Sequence, residues 1–207
     1  MAFVLTYFSL RGRAEPIRLM LKDQGKEWTE ITVTMEMWSK GDLRESCLFG
    51  QVPKFQDGDL TLYQTNAIRR HLARKFGVYG KDDKEASLID MMDDSLQDLL
   101  TKYVKLIYQT YDTEKENYIK ELPRDLAVYE KILACNKGGF LVGKQISFAD
   151  YLLLVLLLNH QVLSPTALDN FPALRAYRDK LSARPNIKAY MESDAFRNRP
   201  ISGNGKQ

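Results

Sequence analysis

The strand signals of this chain stop at Tyr63, and everything beyond Gly77 reads as helix. That asymmetry limits the fold more than any other feature. Phe3-Val4-Leu5-Thr6-Tyr7-Phe8 is a β-prone apolar run of the kind that forms a buried central strand. Ser9-Leu10-Arg11-Gly12 breaks it, and a helical pattern then runs from Ala14 to Gln24 with Gly25 as its stop. Trp28 to Val33 alternates as a second strand, and Thr34 to Gly50 is irregular, with a short helix expected over Trp38 to Cys47. Lys54-Phe55-Gln56 and Leu60-Thr61-Leu62-Tyr63 flank the turn Asp57-Gly58-Asp59 as a hairpin. A basic helix follows over Asn66 to Phe76.

Gly77-Val78-Tyr79-Gly80-Lys81-Asp82-Asp83 has the composition of a linker. Beyond it, Leu96, Leu99, Leu100, Tyr103, Val104, Ile107, Tyr108 and Tyr111 form one three-four helical stripe. A second helix is expected from about Glu116 to Ala134. Ser147-Phe148-Ala149-Asp150 opens the most apolar helix with the signature of a capping box, Ile146 and Tyr151 standing where a hydrophobic staple needs them. Phe171 to Leu181 and Pro185 to Met191 complete the helical half. With 207 residues against ~150 per domain, the chain is one large domain or two small ones. The expected plan is α/β plus all-α: a βαβ-α-ββα domain over 1–76, a linker over 77–82 and an all-helical domain over 83–207. The first half is compatible with a thioredoxin-like fold.

Composition excludes several chemistries. The net charge of +3 is far below that of a dedicated nucleic-acid binder. The cluster Arg69-Arg70-His71, Arg74-Lys75 reads as a solvated helix face. The longest apolar run, Tyr151 to Leu158, is eight residues against the ~20 that span a bilayer, so no membrane role is expected. Met1-Ala2-Phe3 opens without a charged leader region, and two distant cysteines fit a reducing compartment, which together predict a cytoplasmic protein. Cys47, His71, Cys135 and His160 are the only cysteines and histidines, and none stands at metal-ligand spacing. No metal site is expected, and any sulfur or proton chemistry must use other groups, among which 11 tyrosines stand out.

Five segments then make a specific pattern: Tyr7 to Arg13, Phe49 to Gly58, Leu60 to Gln64, Ser147 to Tyr151 and Ile201 to Gln207. Together they resemble the pi class of cytosolic glutathione S-transferases, over essentially the whole chain. The resemblance implies conjugation of the glutathione thiol to hydrophobic electrophiles as a detoxification reaction. Reduced glutathione is then a co-substrate, and no cofactor is required. Tyr7 matches the catalytic tyrosine; read without the resemblance it is a buried core tyrosine. A thiol with pKa near 8.5 is only a few per cent ionised at neutral pH. Lowering that value by about two units takes roughly 2.7 kcal/mol. One hydroxyl hydrogen bond to a charged sulfur supplies about 1.5–3 kcal/mol, so a single tyrosine suffices.

The remaining assignments come from the same resemblance. Arg13, Trp38 and Arg44 match residues at the glycyl end of glutathione, with Arg44 standing where lysine is more common. Val52-Pro53 matches a cis-proline turn that pairs with the cysteinyl unit, although trans is the base-rate state of such a bond. Gln51, Gln64 and Thr65 match the γ-glutamyl end, the last two opening a helix whose free amides favour an anion. Asp98 matches a residue that reaches the glutathione of a neighbouring subunit; on its own it reads as a solvated acid with Asp94 and Lys102 four residues either side. Phe49 matches the aromatic key of a homodimer, often tyrosine, seated in a pocket with Met91 and Met92. Phe8, Leu10, Met35, Val104, Tyr108, Ser202 and Gly203 match the lining of the electrophile site, Leu10, Met35 and Ser202 departing from the commonest residues. Tyr108 is also placed to donate a proton to an epoxide or keto oxygen. Cys47 matches a reactive cysteine, though a lone cysteine is more often a small apolar residue; Cys135 reads as structural or incidental. The family is also implicated in binding signalling kinases, which no residue here tests. Two other classes remain: a non-catalytic binding protein on the same fold, and a disulfide oxidoreductase, which the absence of a Cys-x-x-Cys disfavours.

Overall fold

The computed structural model describes residues 3–207; Met1 and Ala2, and the leader expectation placed on them, lie outside the described residues. β1 (Phe3–Phe8) and β2 (Trp28–Val33) pair in parallel across the crossover helix α1 (Glu15–Asp23), in the register Tyr7 opposite Thr32. β3 (Lys54–Asp57) runs antiparallel to β1, with Phe55 opposite Leu5, and turns through Asp57-Gly58 into β4 (Leu60–Tyr63). The sheet order is β2-β1-β3-β4. β1 is therefore central, which is why Leu5 and Tyr7 are buried and why its C-terminal end opens where the chain leaves the sheet.

The irregular stretch holds two short helices rather than the single expected one, α2 (Met35–Ser39) and α3 (Asp42–Ser46). They are split at Gly41, whose φ of 93° no side-chain-bearing residue adopts readily. α4 (Thr65–Phe76) closes the first half and ends on Gly77 in the left-handed conformation. Its basic cluster is a solvated face only in part, at the exposed Arg74 and Lys75. Arg69 is fully buried against Asp93, with Nη1–Oδ1 at 2.6 Å and Nη2–Oδ2 at 3.0 Å. Arg70 bonds Asp90 and Asp94, while His71 and Lys75 both bond Asp57.

The second half is helical throughout its regular elements: α5 (Asp83–Lys105), α6 (Tyr111–Cys135), α7 (Phe148–Leu163), α8 (Pro172–Ser182), α9 (Pro185–Glu192) and α10 (Asp194–Arg197). The stripe expected to continue to Tyr111 is interrupted. α5 ends at Lys105, a π turn spans Leu106–Thr110, and α6 starts at Tyr111, five residues earlier than the periodicity suggested. One extra residue per turn rotates the stripe, so Leu106 and Ile107 stay buried while Tyr108 is half exposed.

α1 is the seam between the halves: Ile17 and Leu21 on it are fully buried, and it packs against α4 of the first half and against α7 and α9 of the second. Tyr151 and Arg184 both bond the Asp23 carboxylate, and the Tyr190 hydroxyl donates to Glu15 at 2.9 Å. The Ser147–Asp150 cap is present and carries more than its helix. The Asp150 carboxylate accepts from the Ser147 amide and hydroxyl, from the Leu141 amide and from the Tyr177 hydroxyl.

Candidate active site

The carboxyl end of β1 delivers Tyr7 to the floor of a cleft of about 1010 Å³. The chain then turns through Leu10 to Arg13 into α1, and the Arg13 amide donates to the Tyr7 hydroxyl at 3.1 Å. Gly12 makes this contact possible. It has a φ of 43°, and a Cβ there would stand 2.7 Å from the Tyr7 hydroxyl oxygen and 2.4 Å from Leu10. Burial raises the Tyr7 pKa above the ordinary phenolic value, and the Arg13 amide only partly offsets it. At neutral pH the group is a phenol whose oxygen already accepts one backbone donor. Its own proton is free for a ligand.

One wall beside Tyr7 is polar. The Val52-Pro53 bond is cis, and Gln51 and Gln64 join their side-chain amides at 3.2 Å. Gln64 is the one non-glycine residue with positive φ among the described residues, at 65°. A left-handed conformation there is strained, and strain of this kind collects at ligand sites. It turns the chain abruptly into α4, so that Thr65 and Asn66 bring the free amides of a twelve-residue helix to the cleft. Arg13 and Trp38 also line it; the Trp38 ring meets Phe8 edge-on at 5.5 Å.

The opposite wall is mostly apolar and belongs to the second half. Val104 and Tyr108 face Phe8 and Leu10 across the cleft, Met35 stands exposed among the lining residues, and Ser202 and Gly203 arrive with the C-terminal tail. The Tyr108 hydroxyl accepts from the Gly203 amide at 3.0 Å, and Asn204 donates to the Ile107 carbonyl at 2.8 Å. The tail is tied down further by Tyr111, which donates to the Gln207 carbonyl, and by the Lys206–Asp112 pair.

Of the residues expected at the site, Tyr7, Arg13, Trp38, Gln51, Val52, Pro53, Gln64 and Thr65 converge on this cleft, as do all seven of the apolar set. Four others do not. Arg44 is exposed on α3 and does not line it. Asp98 is exposed on α5 without either expected neighbour: Lys102 bonds Asp125 of α6 at 2.8 Å, and Asp94 bonds Arg70. Phe49 is 56% exposed, with its ring edge-on to Tyr63 at 6.3 Å. Cys47 is only 3% exposed, whereas Cys135 is exposed. Among the described residues no group of histidine, cysteine and acidic side chains could hold a metal ion. No helix among the described residues is long and apolar enough to cross a membrane.

Sequence reasoning missed Gly12, Asn66, Gln97, Leu100, Tyr103, Ile107, Asn159, Ile201 and Asn204, all of which line the cleft. Asn159 alone carried a signal, a polar residue directly after the longest apolar run and still within the most apolar helix. The others look like core or loop positions until α5 and α7 are packed side by side.

Comparison with known proteins agrees with this geometry. Residues 3–74 match the model of the glutathione S-transferase N-terminal domain, and residues 97–194 that of the C-terminal domain. The chain is 56% identical to glutathione S-transferase P of Bos taurus and 55% identical to that of Homo sapiens, each over 207 residues and 99% of both chains. Its fold superposes on the pi-class glutathione S-transferase of Onchocerca volvulus with a TM-score of 0.94 at 42% identity, covering 100% of both chains. Both halves are thus matched by the two domain models and the whole chain by its relatives, and the chain belongs to the pi class of the glutathione S-transferase family.

Proposed function

We propose that the protein transfers the thiol of reduced glutathione to hydrophobic electrophiles, with the Tyr7 hydroxyl stabilising the thiolate. The observation that carries this is the state of Tyr7: protonated, buried, already accepting the Arg13 amide, and set between a polar wall and an apolar one. Its remaining hydrogen-bonding capacity is donation. A donor aimed at a sulfur favours the anion over the thiol, and one charge-assisted bond of about 1.5–3 kcal/mol lowers the thiol pKa by about one to two units.

In this reading the α-carboxylate of the γ-glutamyl unit lies at the N-terminus of α4 by Gln64 and Thr65, with Gln51 beside it. The main chain at Val52 pairs with the cysteinyl unit, and Arg13 and Trp38 meet the glycyl carboxylate, with Arg44 reaching in from α3. The thiolate attacks an electrophilic carbon held against Phe8, Val104 and Tyr108. A carbon–sulfur bond forms as the bond to the leaving group breaks, or as a π bond opens and its electron pair goes to oxygen. The Tyr108 hydroxyl, whose oxygen accepts from Gly203, has its proton available for that oxygen. Residues 1–76 are the glutathione-binding domain and 83–207 the helical domain, joined by 77–82. The exposed Phe49, Met91 and Asp98 support a cytoplasmic homodimer in which Phe49 docks on the other subunit and Asp98 completes the neighbouring site.

Conjugation of glutathione to an activated chloroarene, measured for wild type and Tyr7→Phe, tests the mechanism. Loss of the donor costs about 10- to 100-fold in kcat/KM and raises the pH at which the rate reaches half its maximum by about one to two units. Equal rates with unchanged pH profiles would remove Tyr7 from the chemistry.

A further inference from the structure

α7 is almost wholly apolar, and all but three of its sixteen residues are buried. Three buried side chains along it are polar. Asp150 is satisfied by four donors. His160 is satisfied twice, by the Leu156 carbonyl at 2.7 Å and the Tyr118 hydroxyl at 2.8 Å. Asn159 is different: it lines the cleft, its side-chain amide makes no hydrogen bond to any described residue, and its remaining 5% exposure is to that cleft. An amide presents two donors and one acceptor oxygen. At the cleft surface those groups are left for whatever enters it.

Asn159 comes to the cleft from the helical half, and α5 brings two buried groups without a partner to the same lining. Tyr103 lines the cleft at 4% exposure, with its ring against that of His160 at 5.1 Å, and its hydroxyl is buried without a partner. Gln97, two turns earlier on α5, lines the cleft as well, and its side-chain Nε2 is buried without a partner. An apolar pocket with a few convergent polar groups is how small-molecule sites fix orientation. Three side-chain groups without a protein partner in the lining of one cleft describe a complementary ligand: an apolar body that ends in an oxygen acceptor.

We propose that Asn159, with Tyr103 and Gln97, forms a polar subsite in the wall of the electrophile cleft. It selects electrophiles that carry a hydroxyl, carbonyl or nitro oxygen remote from the reacting carbon. The proposal rests on the reading of the cleft as a glutathione-conjugation site and narrows its substrate class. Asn159 is a specificity residue here; it takes no part in activating the thiol, which lies with Tyr7 on β1.

The test uses binding, so that it does not depend on turnover. S-alkylglutathiones of increasing chain length, each with and without a terminal hydroxyl, are titrated calorimetrically into wild type, Asn159→Leu and Tyr103→Phe. At the chain length that reaches the wall, wild type binds the hydroxylated member about five- to tenfold more tightly than the plain one. Asn159→Leu abolishes or reverses that preference, Tyr103→Phe reduces it, and affinity for the plain member stays within about twofold in both. Equal preference in wild type and Asn159→Leu overturns the subsite. Failure of even the plain S-alkylglutathiones to bind wild type overturns the underlying glutathione reading and the subsite with it. Equal binding of plain and hydroxylated members at every length overturns the subsite alone.

Discussion

His160 makes the stability of this protein depend on pH in a way that can be worked from its surroundings. The imidazole is fully buried, and burial pushes its pKa down to about 4, against only small opposing effects from the Leu156 carbonyl and from Asp125. Asp125 is itself neutralised by Lys102 at 2.8 Å. The bonding partners set the tautomer: Nδ1 must donate to the Leu156 carbonyl, so Nε2 is left to accept the Tyr118 proton. Protonating Nε2 would break that arrangement inside an apolar cluster. In the unfolded chain the same histidine titrates near 6.5. The unfolded state therefore binds more protons between those two values, and folding stability falls as pH drops from about 6.5 towards 4. The full difference is about 3 kcal/mol, of which about 2 kcal/mol is already lost at pH 5. Urea unfolding at fixed protein concentration, at pH 7.5, 6 and 5, measures the slope for wild type and His160→Gln. The variant is less stable at pH 7.5, having lost bonds to Tyr118 and Leu156, yet it loses about 2 kcal/mol less than wild type on going to pH 5. Parallel slopes in the two proteins would refute the assignment of a neutral, protonation-resistant His160.

Two further outcomes follow from single contacts. Gly12→Ala places a methyl group 2.7 Å from the Tyr7 hydroxyl oxygen at a φ of 43°, so conjugation falls about as far as in Tyr7→Phe while circular dichroism still reports the native helix content; wild-type activity in the Gly12→Ala variant contradicts the proposed placement of that hydroxyl. Burial alone would raise the Asp57 carboxyl, but hydrogen bonds from Lys75 and His71 outweigh it and hold its pKa below the ordinary value. Its stabilisation is thus present at neutral pH and lost as pH falls from about 4 through the folded value. Asp57→Asn lowers stability by about 1–2 kcal/mol at pH 7, and the gap to wild type closes in melts taken below pH 4.

What the sequence made legible was local. The alternation from Trp28 to Val33, the Asp57-Gly58 turn and the Ser147–Asp150 cap each depend on residues a few positions apart, and each stands where it was expected. What it hid was partnership at a distance. Arg69 reads as one more cation on a basic helix until α5 brings Asp93 against it, and Lys102 reads as the partner of Asp98 until α6 offers Asp125. The π turn at Leu106–Thr110 was hidden for another reason. The three-four spacing passes through it unbroken, so only the backbone reveals that Tyr108 has been rotated off the core. The site was half legible in the same sense. Residues that match as short motifs, Tyr7 to Arg13 or Gln51 to Pro53, were found; those that meet only because α5 and α7 are neighbours, Gln97, Tyr103 and Asn159, were not.

The cleft has one construction at both of its working ends. Tyr7 comes from the sheet half and Tyr108 from the helical half, and each hydroxyl accepts a backbone amide, from Arg13 and from Gly203 respectively. A phenol oxygen already engaged by a donor has its proton left for whatever enters the site. The two differ in what holds them. Tyr7 is buried on a central strand, and its amide belongs to the turn that begins α1, so its geometry is fixed by the core. Tyr108 sits half exposed on a π turn, and its amide belongs to a tail pinned by Asn204, Lys206 and Gln207. In the proposed reaction this separates two requirements. Thiol activation is common to every electrophile and rests on the rigid pair. Accommodation of the electrophile varies with its shape and polarity, and rests on the π turn, the tail and the Asn159 wall, where substitution leaves the sheet and Tyr7 undisturbed.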